Sequence, residues 1–446
     1  MIDTRPHRWC VVGGGFMGLT LAHRLSREGH DVTVLEAAPQ IGGLAGAWRL
    51  GDIVWDRHYH VTLLSDLQLR ALLEELELEN DLQWRTTNTG FYCDGRLYDL
   101  NNAIDYLRLP ALGWWDKLRL GATILYAARI GSGRELERIT VSEWLIRLSG
   151  RRVFERIWRP LLRAKLGDNY KQTSAAFIWA IIRRLYAARR SGLKTEMFGY
   201  VPGGYARILQ RFEALLKDAG VAIERGCPVE RVERSGAAMR VKTAAGERLF
   251  DQVVVTLAAP LAAKICVGLS DDELEKLHGI VYQGIICASV LLKRPLAGHY
   301  VTYITDEDAP FTAVIEMSAL VEPAELGGHG LVYLPRYVTQ DDPYKQLSDA
   351  EVEQRFLDAL LRMYPSLEGT DVVHFRVSRV PHVLAISTLG YSDRLPPMMT
   401  TVPGLHIVNS AHIVNGTLNV NETIGLAEAA ARRLLAVPSS RLDRAA

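Results

Sequence analysis

Cysteine is scarce and scattered in this chain. Cys10, Cys93, Cys227, Cys266 and Cys287 are the five, and none stands in a C-x-x-C pair. That pattern excludes a disulfide framework and a cysteine-based zinc site, and it suits a reducing compartment. Apolar runs of the length needed to span a bilayer are missing as well. So is an excess of charge: the formal net charge is +1 over 446 residues, which gives no bulk attraction to nucleic acid. There are no internal repeats and no low-complexity tracts. Residues 1–9 are polar and lead straight into a strand, unlike a signal peptide, so the cytoplasm is the expected location. The length suits two or three domains with a large core.

What is present is concentrated in residues 9–47. Cys10, Val11 and Val12 form a short apolar run of the kind buried in a parallel sheet. Gly13, Gly15 and Gly18 follow with G-x-G-x-x-G spacing: a tight turn, a close backbone approach to pyrophosphate, and helix–strand packing. A helix is expected over 19–29, with Leu19, Ala22 and Leu25 at helical spacing and Gly29 just past its end. Its N-terminus offers N–H groups and a positive dipole end to phosphate. Residues 31–35 read as the second strand, and Glu36 ends it, where an acid accepts hydrogen bonds from ribose hydroxyls. A dinucleotide site follows from that context. Gly42, Gly43 and Gly46 then form a second glycine turn.

The acid followed by this second turn resembles the FAD fingerprint of the flavin amine oxidase, protoporphyrinogen oxidase and phytoene desaturase superfamily. The resemblance implies an α/β fold: a Rossmann-type FAD-binding domain of the glutathione reductase-like, amine oxidase type, with an inserted helical cap and an antiparallel-sheet substrate domain. It implies FAD held by Gly13, Gly15, Phe16, Met17, Gly18, Glu36, Ala37, Gly42, Gly43 and Leu44. Further along, Val229 matches the position whose backbone meets the adenine, and Ala258 lies where a strand end passes close to the cofactor. Residues 405–411 and 415–423 resemble the closing flavin motif, where a helix N-terminus faces the flavin N1/O2 edge. Asn419, Val420 and Thr423 fall there, with Asn421 and Thr423 as expected caps of a helix over 424–435. Asn409, Ser410 and His412 stand where the superfamily places an acid, so Asn409 is the expected ribityl contact. No cysteine follows Cys287, which implies non-covalent FAD.

The expected division is 1–100 and 200–277 and 372–446 for the FAD domain, 101–199 for the cap, and 278–371 for the substrate domain. The cap is basic: residues 108–190 hold 18 Lys and Arg against 6 Asp and Glu. It should attract anions, whether a substrate carboxylate or phosphate or an anionic membrane. Arg151, Arg152, Arg156, Arg159 and Arg163 recur through one expected helix, and Arg183, Arg184, Arg189 and Arg190 form a second cluster. Residues 107–115, ending in Trp114 and Trp115, suit either a buried helix pair or a membrane interface at the inner face.

His58 and His60 share one face if their backbone is extended. They lack a third ligand, so no metal is expected. They either pack near the cofactor or tune the flavin and move protons, which makes them the candidate catalytic residues. The superfamily's amine oxidases keep a lysine in a G-x-x-x-K strand. Here Gly284 is followed by Ala288, which lowers the expectation of simple amine oxidation. The resemblance therefore implies an FAD-dependent oxidoreductase that takes hydride from a C–H or C–N bond of an apolar or anionic small molecule. Two alternatives stay open: a UDP-galactopyranose mutase-like isomerase, and a lipid-binding chaperone of the same fold without enzymatic activity.

Overall fold

The computed structural model describes residues 6–101, 105, 112–188, 197–414 and 416–436. Residues 107–111, Arg189, Arg190, Asn415 and the tail from Pro438 lie outside the described residues.

The strand Arg8–Val12 sits at the middle of a five-stranded parallel sheet. The order is Ala222–Glu224, Asp31–Leu35, Arg8–Val12, Gln252–Val255 and Leu405–Ile407. Successive side chains of a strand face opposite sides. Trp9 and Val11 pack with the helices Phe16–Arg27, Gly204–Asp218 and Val420–Leu435, while Cys10 and Val12 pack with a three-stranded meander and the helix Ala259–Ile265. Burial on both faces explains why the strand reads as one unbroken apolar run. The first helix starts three residues earlier than expected because the chain turns directly from Gly15, its N-cap, into helix; Gly29 follows its end at φ +82°.

The second sheet has seven strands in the order Val372–Ala385, Tyr282–Leu292, Gly330–Val338, Ala313–Glu316, His299–Ile304, Asn88–Cys93 and Arg96–Asp99. All pairings are antiparallel except that of His299–Ile304 with Asn88–Cys93. The helix Asp349–Met363 covers one face. The other face meets Trp55, Tyr59, Phe198 and Tyr200. This sheet moves two expected boundaries. The strands Asn88–Cys93 and Arg96–Asp99 fall within the 1–100 expected for the FAD domain, and the strand Val372–Ala385 within 372–446. All three hydrogen-bond into the substrate-domain sheet instead. Local pattern identified the strands, but partner choice is a long-range matter.

The cap consists of the helices Trp114–Arg129, Val141–Ser149, Arg159–Leu166 and Ala175–Ala188 around Trp144, Trp158 and Trp179. Thr140 and Glu143 form a capping box at the second of these. The arginine series expected on one helix spans a π turn, Phe154–Trp158, that offsets its two halves. No helix of the described residues is long and apolar enough to cross a membrane.

Candidate cofactor site and its surroundings

The two glycine turns are bound to one another. Gly42 N–H donates to Gly14 O at 2.7 Å, and Gly13 N–H donates to Leu35 O at 2.8 Å. Gly13 has φ +111°, which only glycine adopts without strain, and a Cβ there would lie 2.5 Å from Thr256 Oγ1. At Gly18 a Cβ would come within 1.9 Å of Gly13 O, so helix and turn pack at backbone contact distance. The first helix has no side-chain cap and no acidic residue in its first turn. Its leading N–H groups are left for an anion. Phe16 and Met17, expected at the cofactor, are buried in this first turn, with Phe16 edge-on to Tyr205.

Glu36 ends its strand as expected, but its carboxylate is engaged. Oε2 accepts from Gly14 N–H at 2.6 Å and Oε1 from Ala38 N–H at 2.8 Å. A carboxylate has about four acceptor positions, so ribose hydroxyls can still be served. Gly226 N–H donates to Ala38 O and Cys227 N–H to Glu36 O, both at 2.9 Å. The fold thereby brings the stretch before Val229 beside Ala37. Ala258 caps the helix Ala259–Ile265, two residues after Thr256, whose N–H and hydroxyl both donate to Val12 O at 2.9 Å.

The second glycine turn is tied to the other lobe through residues 56–60. Arg57 Nη2 donates to Gly43 O at 2.6 Å. His58 Nδ1 lies 2.9 Å from Leu44 O, and its Nε2 lies 3.1 Å from Ser378 Oγ. A carbonyl only accepts, so Nδ1 carries the proton and Nε2 accepts from Ser378. Burial pushes His58 down to about 4 and His60 down to about 3, so both rings are neutral at pH 7. They do not act as a pair. Residues 57–61 leave the strand, and the His60 ring packs on Tyr205 at 4.8 Å while His58 reaches the substrate sheet.

Asp56 was not singled out by the sequence. Its side chain is fully buried, and Oδ1 accepts from Tyr205 N–H at 2.8 Å, at the start of the helix Gly204–Asp218. Burial raises this carboxyl to about 7, against the lowering effect of that hydrogen bond. The legible signal was the Pro202-Gly203-Gly204 turn, which opens a helix with no capping side chain of its own. Tyr333 was missed too; its hydroxyl donates to Asp56 O. On the same sheet face Tyr59 and Tyr337 hydroxyls lie 3.2 Å apart, and Lys165 of the cap stands 5.2 Å from the Tyr337 ring centre.

The position aligned with the amine oxidase lysine faces the wrong way. Ala288 packs with Phe356 and Leu360 on the far side of its sheet. Its neighbour Ser289 is the residue that reaches Arg57 O, at 3.4 Å. An alternation of period two makes any one-residue shift a change of face. The alanine therefore carries no argument about amine oxidation.

At the closing motif, Asn409 is 1 % exposed; its Oδ1 accepts from Ala411 N–H at 3.0 Å and its Nδ2 has no partner among the described residues. An unpaired buried donor costs stability unless an acceptor arrives. His412 is committed elsewhere, donating from Nε2 to Pro396 O at 3.0 Å. The closing helix runs Val420–Leu435 and starts four residues earlier than expected, because Asn419 caps it by accepting from Glu422 N–H at 3.0 Å. Thr423 and Asn421 are not its caps. Thr423 donates back to Asn419 O, and Asn421 Oδ1 accepts from Gln68 and Leu69 N–H, capping the helix Leu67–Glu75. Asp66, the residue just before that helix, accepts from Leu63 N–H and faces Arg184 at 3.1 Å. The uncapped first helix, the glycine cradle and the free Asn409 amide fit a dinucleotide cofactor in donor chemistry. The arginines of the cap mostly meet carboxylates, as in Arg163–Glu307 at 2.9 Å and Arg152–Asp116 at 3.4 Å, away from these turns.

Comparison with known sequences and structures shows the family of the chain. The profile of the family described as flavin containing amine oxidoreductase matches residues 17–435. A Mycobacterium tuberculosis protein described as a flavin-containing monoamine oxidase is 24% identical over 272 residues, and the match spans 58% of each chain. Coproporphyrinogen III oxidase of Mycobacterium bovis is 24% identical over 426 residues, 89% of this chain and 91% of its own. A structure described as a protoporphyrinogen oxidase from an Exiguobacterium species superposes with TM-score 0.75 at 19% identity, covering 97% of this chain and 99% of the other.

Proposed function

Since the chain belongs to the flavin-containing amine oxidoreductase family, whose members are FAD-dependent oxidoreductases, we propose that it binds FAD non-covalently and removes hydride from a C–H or C–N bond of an apolar or anionic small molecule. The observation that carries this reading is the pair of mutually bonded glycine turns at an uncapped helix N-terminus, with Glu36 beside them. Among the relatives above, the coproporphyrinogen oxidase matches over far more of both chains than the monoamine oxidase does, which favours a porphyrinogen- or desaturase-type substrate. FAD, when bound, supplies the hydride acceptor.

The chain's own residues supply position and exclusion of water. Arg57 and His58 hold the second glycine turn against the substrate sheet. Both His58 nitrogens are occupied and the ring is neutral, so we assign it a positioning role rather than proton transfer. Tyr337 stands on the sheet face that meets residues 56–60, Tyr59 packs against it there above the buried Tyr333, and Lys165 offers a cation at the Tyr337 ring. That wall suits a flat, largely apolar substrate with a carboxylate. Non-covalent binding is supported by the cysteines: Cys287 is buried within its sheet, and Cys227 lies at Glu36.

The test is the visible spectrum of the purified protein, followed by anaerobic mixing with a porphyrinogen, a carotene and a polyamine in turn. Bleaching of a flavin band by either of the first two supports the reading. Bleaching by the polyamine alone assigns amine oxidation instead. A protein with no flavin band, and none after added FAD, refutes the cofactor assignment.

A further inference from the structure

We propose that the outer face of the helix Trp114–Arg129 is a docking surface for an anionic lipid membrane. This helix is turned inside out relative to an ordinary surface helix. Trp114 is 69% exposed, Trp115 80%, Leu118 62%, Leu125 44% and Tyr126 53%. The inward side holds Lys117 and Thr123 beside Leu120 and Ala127, so polar groups are buried while large apolar ones meet water. Positions 115, 118, 122, 125 and 126 fall on one side of an α-helix, so the exposed residues form a stripe rather than isolated points. A contiguous apolar patch of this kind marks an interaction surface.

Charge identifies the occupant. Arg119 and Arg129 are exposed on the same helix, and Arg151 is exposed near its tryptophan end beside Arg152, which pairs with Asp116 at 3.4 Å. The Arg119 guanidinium lies against Gly150, where a Cβ would be 2.7 Å from Nη1, so the two arginine sets adjoin. Lys117 Nζ stands 5.9 Å from the Trp114 ring centre. Paired tryptophans and a flat apolar stripe rimmed by arginines match the layered chemistry of a bilayer surface, with acyl chains below and phosphates at the rim. A symmetric pairing of two copies through this face would bring together two rims, each with Arg119, Arg129 and Arg151 exposed. That like-charge contact is unfavourable. An anionic headgroup layer meets the same charge favourably. The helix would lie flat in the interface, since it is too short and too charged to cross.

The test is co-sedimentation of the full-length flavoprotein with vesicles of phosphatidylcholine alone and of phosphatidylcholine containing phosphatidylglycerol. The expected result is binding to the second kind, weakened by added salt. Trp114→Ala with Trp115→Ala should weaken it by roughly tenfold for each tryptophan removed. Arg151→Glu should weaken it at low salt. Both variants change exposed side chains, so flavin content and thermal unfolding should match the parent protein, which separates lost docking from lost folding. The chain has nine tryptophans, so insertion is read as the difference in emission shift between parent and double variant. Absence of binding to either vesicle overturns the proposal. So does binding that the tryptophan variant leaves unchanged, or tryptophan-dependent self-association without lipid, which would give the face to a second copy.

Discussion

The helix Phe16–Arg27 and the helix Trp114–Arg129 are both rich in large apolar side chains, yet they meet water in opposite ways. In the first, Phe16, Met17, Leu19, Leu21, Ala22 and Leu25 are all buried. In the second, the tryptophans face outward and Lys117 faces inward. The first lies between a parallel sheet and the closing helix, to which Arg24 bonds it through Glu428 at 2.6 Å. Among the described residues, the second packs chiefly against the helices Ala175–Ala188 and Val141–Ser149. Apolarity states that a residue seeks a partner other than water, while the surrounding elements decide whether that partner is in the same chain.

The comparison breaks most sharply at Gly18. Gly18→Val forces a side chain into Gly13 O, and we expect loss of bound flavin and of at least about 3 kcal/mol, read by absorbance ratio and urea unfolding. The next largest effect is a pH dependence at Asp56. Its carboxyl keeps a proton up to about 7 when folded and releases it near 3.8 when unfolded. Within that window the unfolded state binds fewer protons. The contribution of Asp56 to stability therefore falls as pH rises, by up to about 1.4 kcal/mol per pH unit, and is level outside it. Asp56→Asn keeps an acceptor for Tyr205 N–H and loses the slope. Parent minus variant stability should decline between about pH 4 and 7. His58 and His60 act oppositely, costing stability as pH falls below 6.5, which is why parent and variant are compared at each pH.

Smaller effects sharpen the contrast. Ser378→Ala removes the donor to His58 Nε2 in a buried contact, and we expect a loss of about 1–2 kcal/mol with raised KM for whatever substrate bleaches the flavin. Asn421→Ala uncaps the helix Leu67–Glu75 and should cost about 1 kcal/mol. Trp115→Ser, on the outward face, should change unfolding by less than about 0.5 kcal/mol. A large loss there would mean that the tryptophan is packed within the chain, and the contrast between the two helices would fall.

The glycine turns, Glu36 and the two strands beside them were legible because their signals are local: a φ that needs glycine and a short run of apolar residues. Caps were less legible. Asn421 has the side chain of a cap and serves one, but for a helix some 350 positions earlier in sequence. Ala288 was misread because period-two alternation makes orientation depend on register, and the strand Val372–Ala385 was given to the wrong domain because sheet membership depends on distant partners. Asp56, Arg57 and Ser378 carried little signal, since their roles arise where separate lobes meet.

By itself the sequence determined the paired glycine turns: where a helix start stands without a cap, where Glu36 ends its strand, and which glycines let the backbones approach. Those features rest on backbone conformations that single residue types impose. Only the tertiary structure decided that the second glycine turn bonds to the first, that His58 and His60 part company, that Asp56 is buried without a countercharge, and that Trp114 and Trp115 face out. Each of these depends on which elements pack together, and burial and electrostatic environment come from neighbours far away in the chain.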